Sequence, residues 1–102
     1  MFYNNRVTIL SQGEDRALTP IYTDIKAQIY KKTVRLDRTI SENTSKEVTM
    51  VLIDADKTSV RAGNIIQYTD AFGVVRDMKT AEPEMVKAMY FKSLIRLQCD
   101  LV

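Results

Sequence analysis

Residues 21–29, Ile-Tyr-Thr-Asp-Ile-Lys-Ala-Gln-Ile, place small or apolar side chains at every second position. The positions between them hold tyrosine, aspartate, lysine and glutamine. A period of two is typical of a β-strand with one face on a core and the other in water. Residues Phe91–Leu101 repeat the pattern, with Ile95, Leu97 and Cys99 on the apolar face. These two stretches predict the long strands of an all-β fold.

Four shorter stretches rich in β-branched residues predict further strands: Val7–Leu10, Val48–Asp54, Ile65–Tyr68 and Val74–Lys79. The second of these is apolar almost throughout, which suits a strand covered on both faces. Asp70-Ala71-Phe72-Gly73 reads as a hairpin loop with Gly73 at positive φ. The two stretches that flank this loop are therefore expected to pair antiparallel.

Two polar stretches separate the predicted strands. Gln12–Pro20 is expected to be a loop. Asp37–Glu47 contains a single aliphatic residue, Ile40. It buries too little apolar surface to offset the entropy of ordering it, so we expect it to project and to be mobile in the isolated chain.

Glu84–Tyr90 allows two interpretations. Pro83 is well placed to begin a short helix, whereas Met85 and Val86 would also continue a strand. With 102 residues and 45% hydrophobic composition, the chain is expected to form one domain spanning residues 1–102. The predicted fold is a small antiparallel β-barrel or sandwich of about six strands, with a long projecting loop at 37–47 and at most one short helix.

The composition argues against an enzyme. Histidine, the commonest general base and metal ligand, is absent, and Cys99 is the single cysteine. Cys99 falls on the apolar face of the last strand and is expected to pack there. No cofactor and no metal is expected.

The acidic pairs give little support for calcium binding or acid–base catalysis. Residues 54–65 begin like a calcium loop, but the sixth position is Ser59 and the twelfth is Ile65, where such a loop needs glycine and glutamate. The pairs Asp54/Asp56 and Glu82/Glu84 are better explained as solvated turn residues.

The densest basic run is Lys31–Arg38, in which Lys31 and Arg35 share one face of an extended strand. Phosphate contact and a plain solvated face are the two alternatives. Three tyrosines fall on predicted polar faces, where an aromatic ring suits a protein interface: Tyr22, Tyr30 and Tyr90.

No signal-peptide run follows Met1, and no apolar stretch approaches the roughly 20 residues of a spanning helix. We expect a protein that stays in the cytoplasm without a membrane contact.

The order of these features resembles a known family. It runs from Arg6–Leu10 through the long alternating strand to the polar excursion and Val48–Ile53, then Val60–Ile66, Gly73-Val74-Val75 and the closing strand. This order resembles the small head–tail joining proteins of long-tailed bacteriophages, the head-completion or stopper family, often labelled minor capsid proteins.

The resemblance implies a β-barrel that is a monomer alone and a homo-oligomeric ring in the virion, below the portal and adaptor. Such a ring retains packaged DNA, touches it transiently and offers a docking surface to tail proteins. By position, the channel-lining segment would be 38–46, with candidate contacts Arg38, Ser41, Glu42, Asn43 and Lys46. The protein would assemble in the host cytoplasm and remain in the virion at the head–tail connector.

Two alternatives remain open. A tail-completion protein would also form a ring but would grip the tail tube. A small nucleic-acid-binding β-barrel would need a stronger basic stripe than a formal net charge of +2 provides.

Overall fold

The computed structural model describes residues 4–36, 44–87 and 93–101, with the backbone alone described at 34–36, 44–46 and 101. Seven strands follow one another along the chain: β1 Asn5–Gln12, β2 Leu18–Leu36, β3 Thr44–Asp54, β4 Ile65–Thr69, β5 Val75–Thr80, β6 Glu84–Lys87 and β7 Ser93–Leu101. The described residues contain no helix, which confirms the predicted all-β class.

The sheet closes on itself. Its strand order is β3-β2-β1-β4-β5-β7-β6, and β3 also pairs with β7. Six strands therefore form a closed antiparallel barrel, and β6 is an additional strand on β7. Closure matters because it leaves the six wall strands without open edges along the body of the barrel.

The barrel encloses a small aliphatic core. Residues of β1, β3, β4 and β7 that share the inward face are almost fully buried: Val7, Ile9, Val51, Ile53, Ile66, Leu97 and Cys99. The inward alternation predicted for the last strand is confirmed, since Ile95, Leu97 and Cys99 are all below 5% exposed.

Strand β3 is covered on both faces, as its sequence predicts. Val51 and Ile53 are fully buried on the inward face, and Val48 and Met50 are 3% and 5% exposed on the other. An almost continuous apolar run therefore marks the strand that closes the barrel.

Strand β2 contains a bulge within residues 21–29, the stretch whose alternation predicted the strand. Its pairing with β1 shifts register twice between Val7 and Leu10. Asp24 has a φ of +53°, and its backbone N–H donates to Thr8 Oγ1 at 3.2 Å. The irregularity breaks the strict alternation, so Tyr22 packs against the core instead of facing water.

Strands β5 and β6 lie on the same side of β7. Thr80 pairs with Cys99, and Glu84 pairs with Arg96 three residues along. The intervening residues keep contact with β7, since the Ala81 N–H donates to the Gln98 carbonyl at 2.8 Å. Pro83 has no N–H to offer, which explains why the pairing is interrupted there.

Part of the predicted projecting loop is strand. Thr33–Leu36 pair with 44–47 in four successive pairs, so residues 44–47 of the loop predicted over Asp37–Glu47 belong to β3. The error arose because polar, threonine- and serine-containing sequence was read as loop, whereas cross-strand hydrogen bonds form there without apolar side chains. Residues 37–43 lie outside the described part of the chain.

Smaller corrections concern element ends. The loop predicted over Gln12–Pro20 is a turn of residues 13–17, because the residues on either side pair as Gln12 with Leu18 and Leu10 with Pro20. In the stretch that allowed a helix, Glu84–Lys87 form a strand, while residues 88–90 are not described. The antiparallel pairing across the Asp70–Gly73 loop is confirmed, with Gly73 at a φ of +79°.

We predict that Leu97→Ala lowers the free energy of unfolding by about 2–5 kcal/mol, because it leaves a cavity in a packed core. Leu97 is 0% exposed. The matched control is its exposed neighbour, Gln98→Ala, which should change stability by less than about 0.5 kcal/mol. Denaturant unfolding of both variants checks the prediction, and equal effects would contradict the placement of the core.

Candidate assembly surface

The antiparallel register sorts the connections to two ends of the barrel. The end at which β4 leads into β5 also carries the last residues of β2 and the first residues of β3. Val7 shows this, because it pairs with both Ile25 and Tyr68 near this end. We call it the upper end. The turn at 13–17 and the β3–β4 connection lie at the opposite, lower end, and residues 81–83 run toward it along β7, between the Thr80–Cys99 and Glu84–Arg96 pairs.

A two-stranded arm leaves the upper end. We define the arm as residues 33–36 of β2 and 44–47 of β3, which pair with each other. Strand β7 pairs with β3 only from Thr49 onward, so within the described chain each arm strand has one neighbour. Four pairs extend about 14 Å at 3.4 Å per residue. The radius of gyration, 14.7 Å, exceeds the roughly 13 Å of a compact chain of this length.

The inward face of β2 becomes charged just before the arm begins. Ile25, Ala27 and Ile29 contribute to the core or pack against it, and the next residue of the same parity is Lys31. Its ammonium group lies 3.4 Å from the Glu47 carboxylate, and both side chains are more than 60% exposed. An exposed pair of this kind adds little stability.

The candidate channel residues fall mostly beyond the described chain. Arg38, Ser41, Glu42 and Asn43 lie outside the described residues. Lys46 and Arg35 lie on the two arm strands, where Lys46 pairs with Val34 and Arg35 with Ser45. The sequence predicted a loop at Lys46, which instead lies on a paired strand, whereas Arg35 lies on a strand as expected.

The second feature of the upper end is the β4–β5 hairpin loop, which one carboxylate organises. Asp70 Oδ1 accepts from the backbone N–H groups of Phe72 at 2.9 Å and Val74 at 3.0 Å. Its other oxygen lies 3.0 Å from Arg76 Nε. The backbone of the loop is also closed, since Asp70 N–H donates to the Val74 carbonyl at 2.9 Å.

These contacts favour the ionised form of Asp70. The Val74 hydrogen bond, helped by Arg76 and the Phe72 amide, lowers the pKa of this carboxyl below its ordinary value. Gly73 takes the left-handed backbone conformation that the loop requires, and open space surrounds it.

The loop holds apolar side chains in water. Phe72 is 90% exposed, and its neighbours Val74 and Val75 are 46% and 59% exposed. These are three of the five exposed large hydrophobic residues in the described chain. We refer to Phe72, Val74 and Val75 as the apolar tip. Single exposed apolar residues are ordinary, but three within four residues make this loop a candidate contact surface.

The tyrosines proposed for an interface serve the fold to different extents. The Tyr22 hydroxyl accepts from the Ser59 N–H at 3.1 Å, and Lys57 Nζ lies 5.6 Å from its ring centroid. The bond to Ser59 lowers the pKa of Tyr22. Tyr30 is half-buried and pairs across the sheet with Met50. Tyr90 lies outside the described residues.

A groove of about 380 Å³ lies at the lower end. Buried Val60 and Ile95 line it, together with Pro83 and the 56% exposed Met85. Lys57 and Arg61 contribute charge from the β3–β4 connection. We refer to this feature as the lower groove.

The β3–β4 connection that borders the lower groove is well anchored. Asn64 is buried, and its side-chain oxygen accepts from the Arg61 N–H at 2.7 Å. The Arg61 guanidinium donates to the carbonyls of Thr58 and Val60 at 2.7 and 2.9 Å. These bonds hold one wall of the groove in place.

One acid of each pair considered from the sequence lies beside a cation. Asp56 lies 3.3 Å from Lys57 Nζ, and Glu84 lies 2.7 Å from Arg96. Among the residues that the structure describes, no group of three or more potential ligands is arranged to hold a metal ion. Nor does the described chain contain a helix long and apolar enough to cross a bilayer.

The apolar tip and the lower groove were not found by sequence reasoning. The sequence did contain a signal for the tip, because Asp70 begins a turn and Phe72 follows it. An aspartate side chain commonly accepts a hydrogen bond from the backbone N–H two residues further on. The groove joins residues distant in sequence and had no local signal. No protein-family model, curated protein or solved structure matches this chain.

We predict that acid loosens the β4–β5 loop at a pH below 3.8, the ordinary value of the aspartate pKa. Because the folded-state pKa of Asp70 is lowered, its carboxylate stabilises the loop at neutral pH. That contribution is lost as the pH falls through the folded-state pKa. NMR measurement of amide protection at Phe72 and Val74 checks this prediction. Asp70→Asn keeps an acceptor oxygen and should abolish the acid transition, so an unchanged transition in this variant would contradict it.

We also predict that the Cys99 thiol is unreactive in the native chain. Burial raises its pKa to about 12, and the residue is 1% exposed, so the reactive thiolate is scarce. A thiol-specific disulfide reagent should label Cys99 only after unfolding. Lys26→Cys, at an exposed position, is the positive control, and rapid labelling of the native wild-type thiol would contradict the prediction.

Proposed function

We propose that this chain is a structural, non-catalytic subunit of a phage or prophage head–tail connector, acting as a head-completion or stopper protein. Identical copies would form a ring below the portal and adaptor, retain the packaged DNA and offer a docking surface to the tail. The observation that carries the proposal is the closed barrel with a paired arm projecting from one end.

The arm is built in a way that suits assembly. A lone two-stranded ribbon is marginally stable in water, and strands with one partner expose backbone donors and acceptors along the other edge. Neighbouring copies in a ring would satisfy these groups. The barrel, by contrast, buries its own core and needs no partner to fold.

The charge of the arm suits a weak contact with DNA. Lys31 and Lys32 lead into it, and Arg35 and Lys46 lie on its two strands, against the single acid Glu47. Each copy would contribute a few phosphate contacts. A ring multiplies these contacts, so that together they retain the DNA although each single contact breaks readily.

The candidate channel residues Arg38, Ser41, Glu42 and Asn43 connect the two arm strands in sequence. The proposal assigns them to the channel together with Lys46. The portal, adaptor and tail proteins would be the partners, and the protein would act in the host cytoplasm during assembly and in the virion afterwards.

Deleting the gene for this chain from its genome should yield heads that lose packaged DNA and carry no tails. Negative-stain imaging of lysates, with wild-type complementation as the control, measures this result. Intact, infectious tailed particles would contradict the proposal. Stable filled heads beside defective tails would indicate the tail-completion role instead.

A variant that replaces residues 33–47 with Asn-Gly should fold but fail to complement. The hairpin would then turn directly after the Lys32–Val48 pair, and Asn-Gly suits a two-residue turn. Thermal unfolding should show a folded barrel, because β7 pairs with β3 from Thr49 onward. Full complementation by this folded variant would contradict the role of the arm.

A further inference from the structure

We propose that Asn4 is a positioning residue for the arm. Its side-chain amide bonds to the backbone of β2 at Ile29, shortly before the arm begins, and thereby fixes the direction in which the arm leaves the barrel. This inference rests on the proposed function, because it names a residue that would place the arm in the channel.

The Asn4 side chain takes the place of a strand residue beside Ile29. The Ile29 N–H donates to Asn4 Oδ1 at 2.9 Å, and Asn4 Nδ2 donates to the Ile29 carbonyl at 3.0 Å. A hydrogen-bonded partner in an antiparallel sheet supplies the same two bonds. The backbone pairing of β1 with β2 has its first pair at Asn5 and Ala27, so the side chain extends the support of β2 two residues further toward the arm.

Asparagine is chemically suited to this position. Its side chain combines an acceptor oxygen with two donor N–H groups, and so offers both functions of a peptide group. An ionised aspartate would offer acceptors alone, and alanine would offer neither function. The two bonds to Ile29 therefore depend on the residue type at position 4.

The other edge of the β2–β3 ribbon, which we define as the paired strands β2 and β3, is supported at nearly the same level. Lys31 of β2 pairs with Thr49 of β3, and Thr49 begins the pairing with β7, opposite Cys99. Within the described chain, the last support on the β1 side, at Ile29, thus lies two residues from the last support on the β7 side. That separation is about 7 Å at 3.4 Å per residue.

Two supports on opposite edges hold the base of the ribbon in one direction. Without the Asn4 bonds, the support on the β1 side ends at Ala27, and the ribbon gains freedom to swing within the plane of the sheet. Because the arm extends about 14 Å, a small change in direction at its base displaces Arg35 and Lys46. In the proposed ring, such a displacement would move these cations relative to the channel.

A distance measurement between spin labels tests the positioning role. The labels are attached to Thr33→Cys on the arm and to Gln12→Cys at the far end of β1, while buried Cys99 stays unlabelled. Asn4→Ala in this full-length chain should widen the distribution of distances between the labels. A distribution of unchanged width would overturn the inference.

The matched control also removes a side-chain amide but lies away from the arm. Gln67 donates to the Asp77 carboxylate at 3.1 Å, between β4 and β5. Gln67→Ala should leave the distribution of distances unchanged. Equal widening by Gln67→Ala and Asn4→Ala would reflect a general loosening of the barrel and would overturn the specific role of Asn4.

Amide exchange at Ile29 tests the bonds themselves. Asn4→Ala should speed exchange of the Ile29 amide about tenfold, since its acceptor is lost. Asn4→Asp keeps an acceptor for this N–H and should exchange at close to the wild-type rate. Equal Ile29 exchange rates in the alanine variant and the wild-type chain would overturn the inference.

The particle phenotype decides the proposed function independently of these measurements. Defective heads in the absence of the chain, together with an unchanged distance distribution in Asn4→Ala, would overturn only the positioning role. A wider distribution together with intact tailed particles in the absence of the chain would overturn the connector role and leave the link between Asn4 and the arm standing.

Discussion

The pairing of β3 with β7 closes the barrel, and the other features of the molecule depend on it. Thr49–Asp54 of β3 pair with Leu94–Cys99 of β7, which joins the two ends of a sheet that would otherwise have open edges. Closure also seals the inward face, so the aliphatic core formed by Val51, Ile53 and Leu97 is shielded from water. A chain of about 100 residues can bury only a limited apolar surface, and a closed barrel covers that surface on all sides.

The place where this pairing stops divides the molecule into two parts. On the barrel side of the Thr49–Cys99 pair, each wall strand has a neighbouring strand on both sides. Beyond that pair, β2 and β3 have only each other within the described chain, and the inward face of β2 has already become charged at Lys31, the partner of Thr49. The apolar tip emerges from the same end, held by Asp70. A stable body thus presents one element with open backbone edges and one with exposed apolar side chains, which is the arrangement that the proposed assembly role requires.

Much of the fold could be predicted from the sequence, because alternation of apolar residues reports directly on a half-buried strand. The inward face of β7 and the doubly covered β3 were predicted in this way. The bulge at Asp24 was not, because it depends on a bond to Thr8 in another strand, and it turned Tyr22 from the expected polar face onto the core. Thr44–Glu47 were missed because backbone pairing there involves no apolar pattern. The lower groove joins Val60 with Ile95, whose proximity depends on closure alone.

Hydrogen–deuterium exchange of individual backbone amides tests the division between barrel and arm most directly. In the isolated chain, amides of the β3–β7 pairing should exchange only with global unfolding, whereas those of residues 33–36 and 44–47 should exchange orders of magnitude faster. In assembled particles, the arm amides should become protected. Arm amides in the isolated chain that are protected as strongly as the barrel would contradict the account.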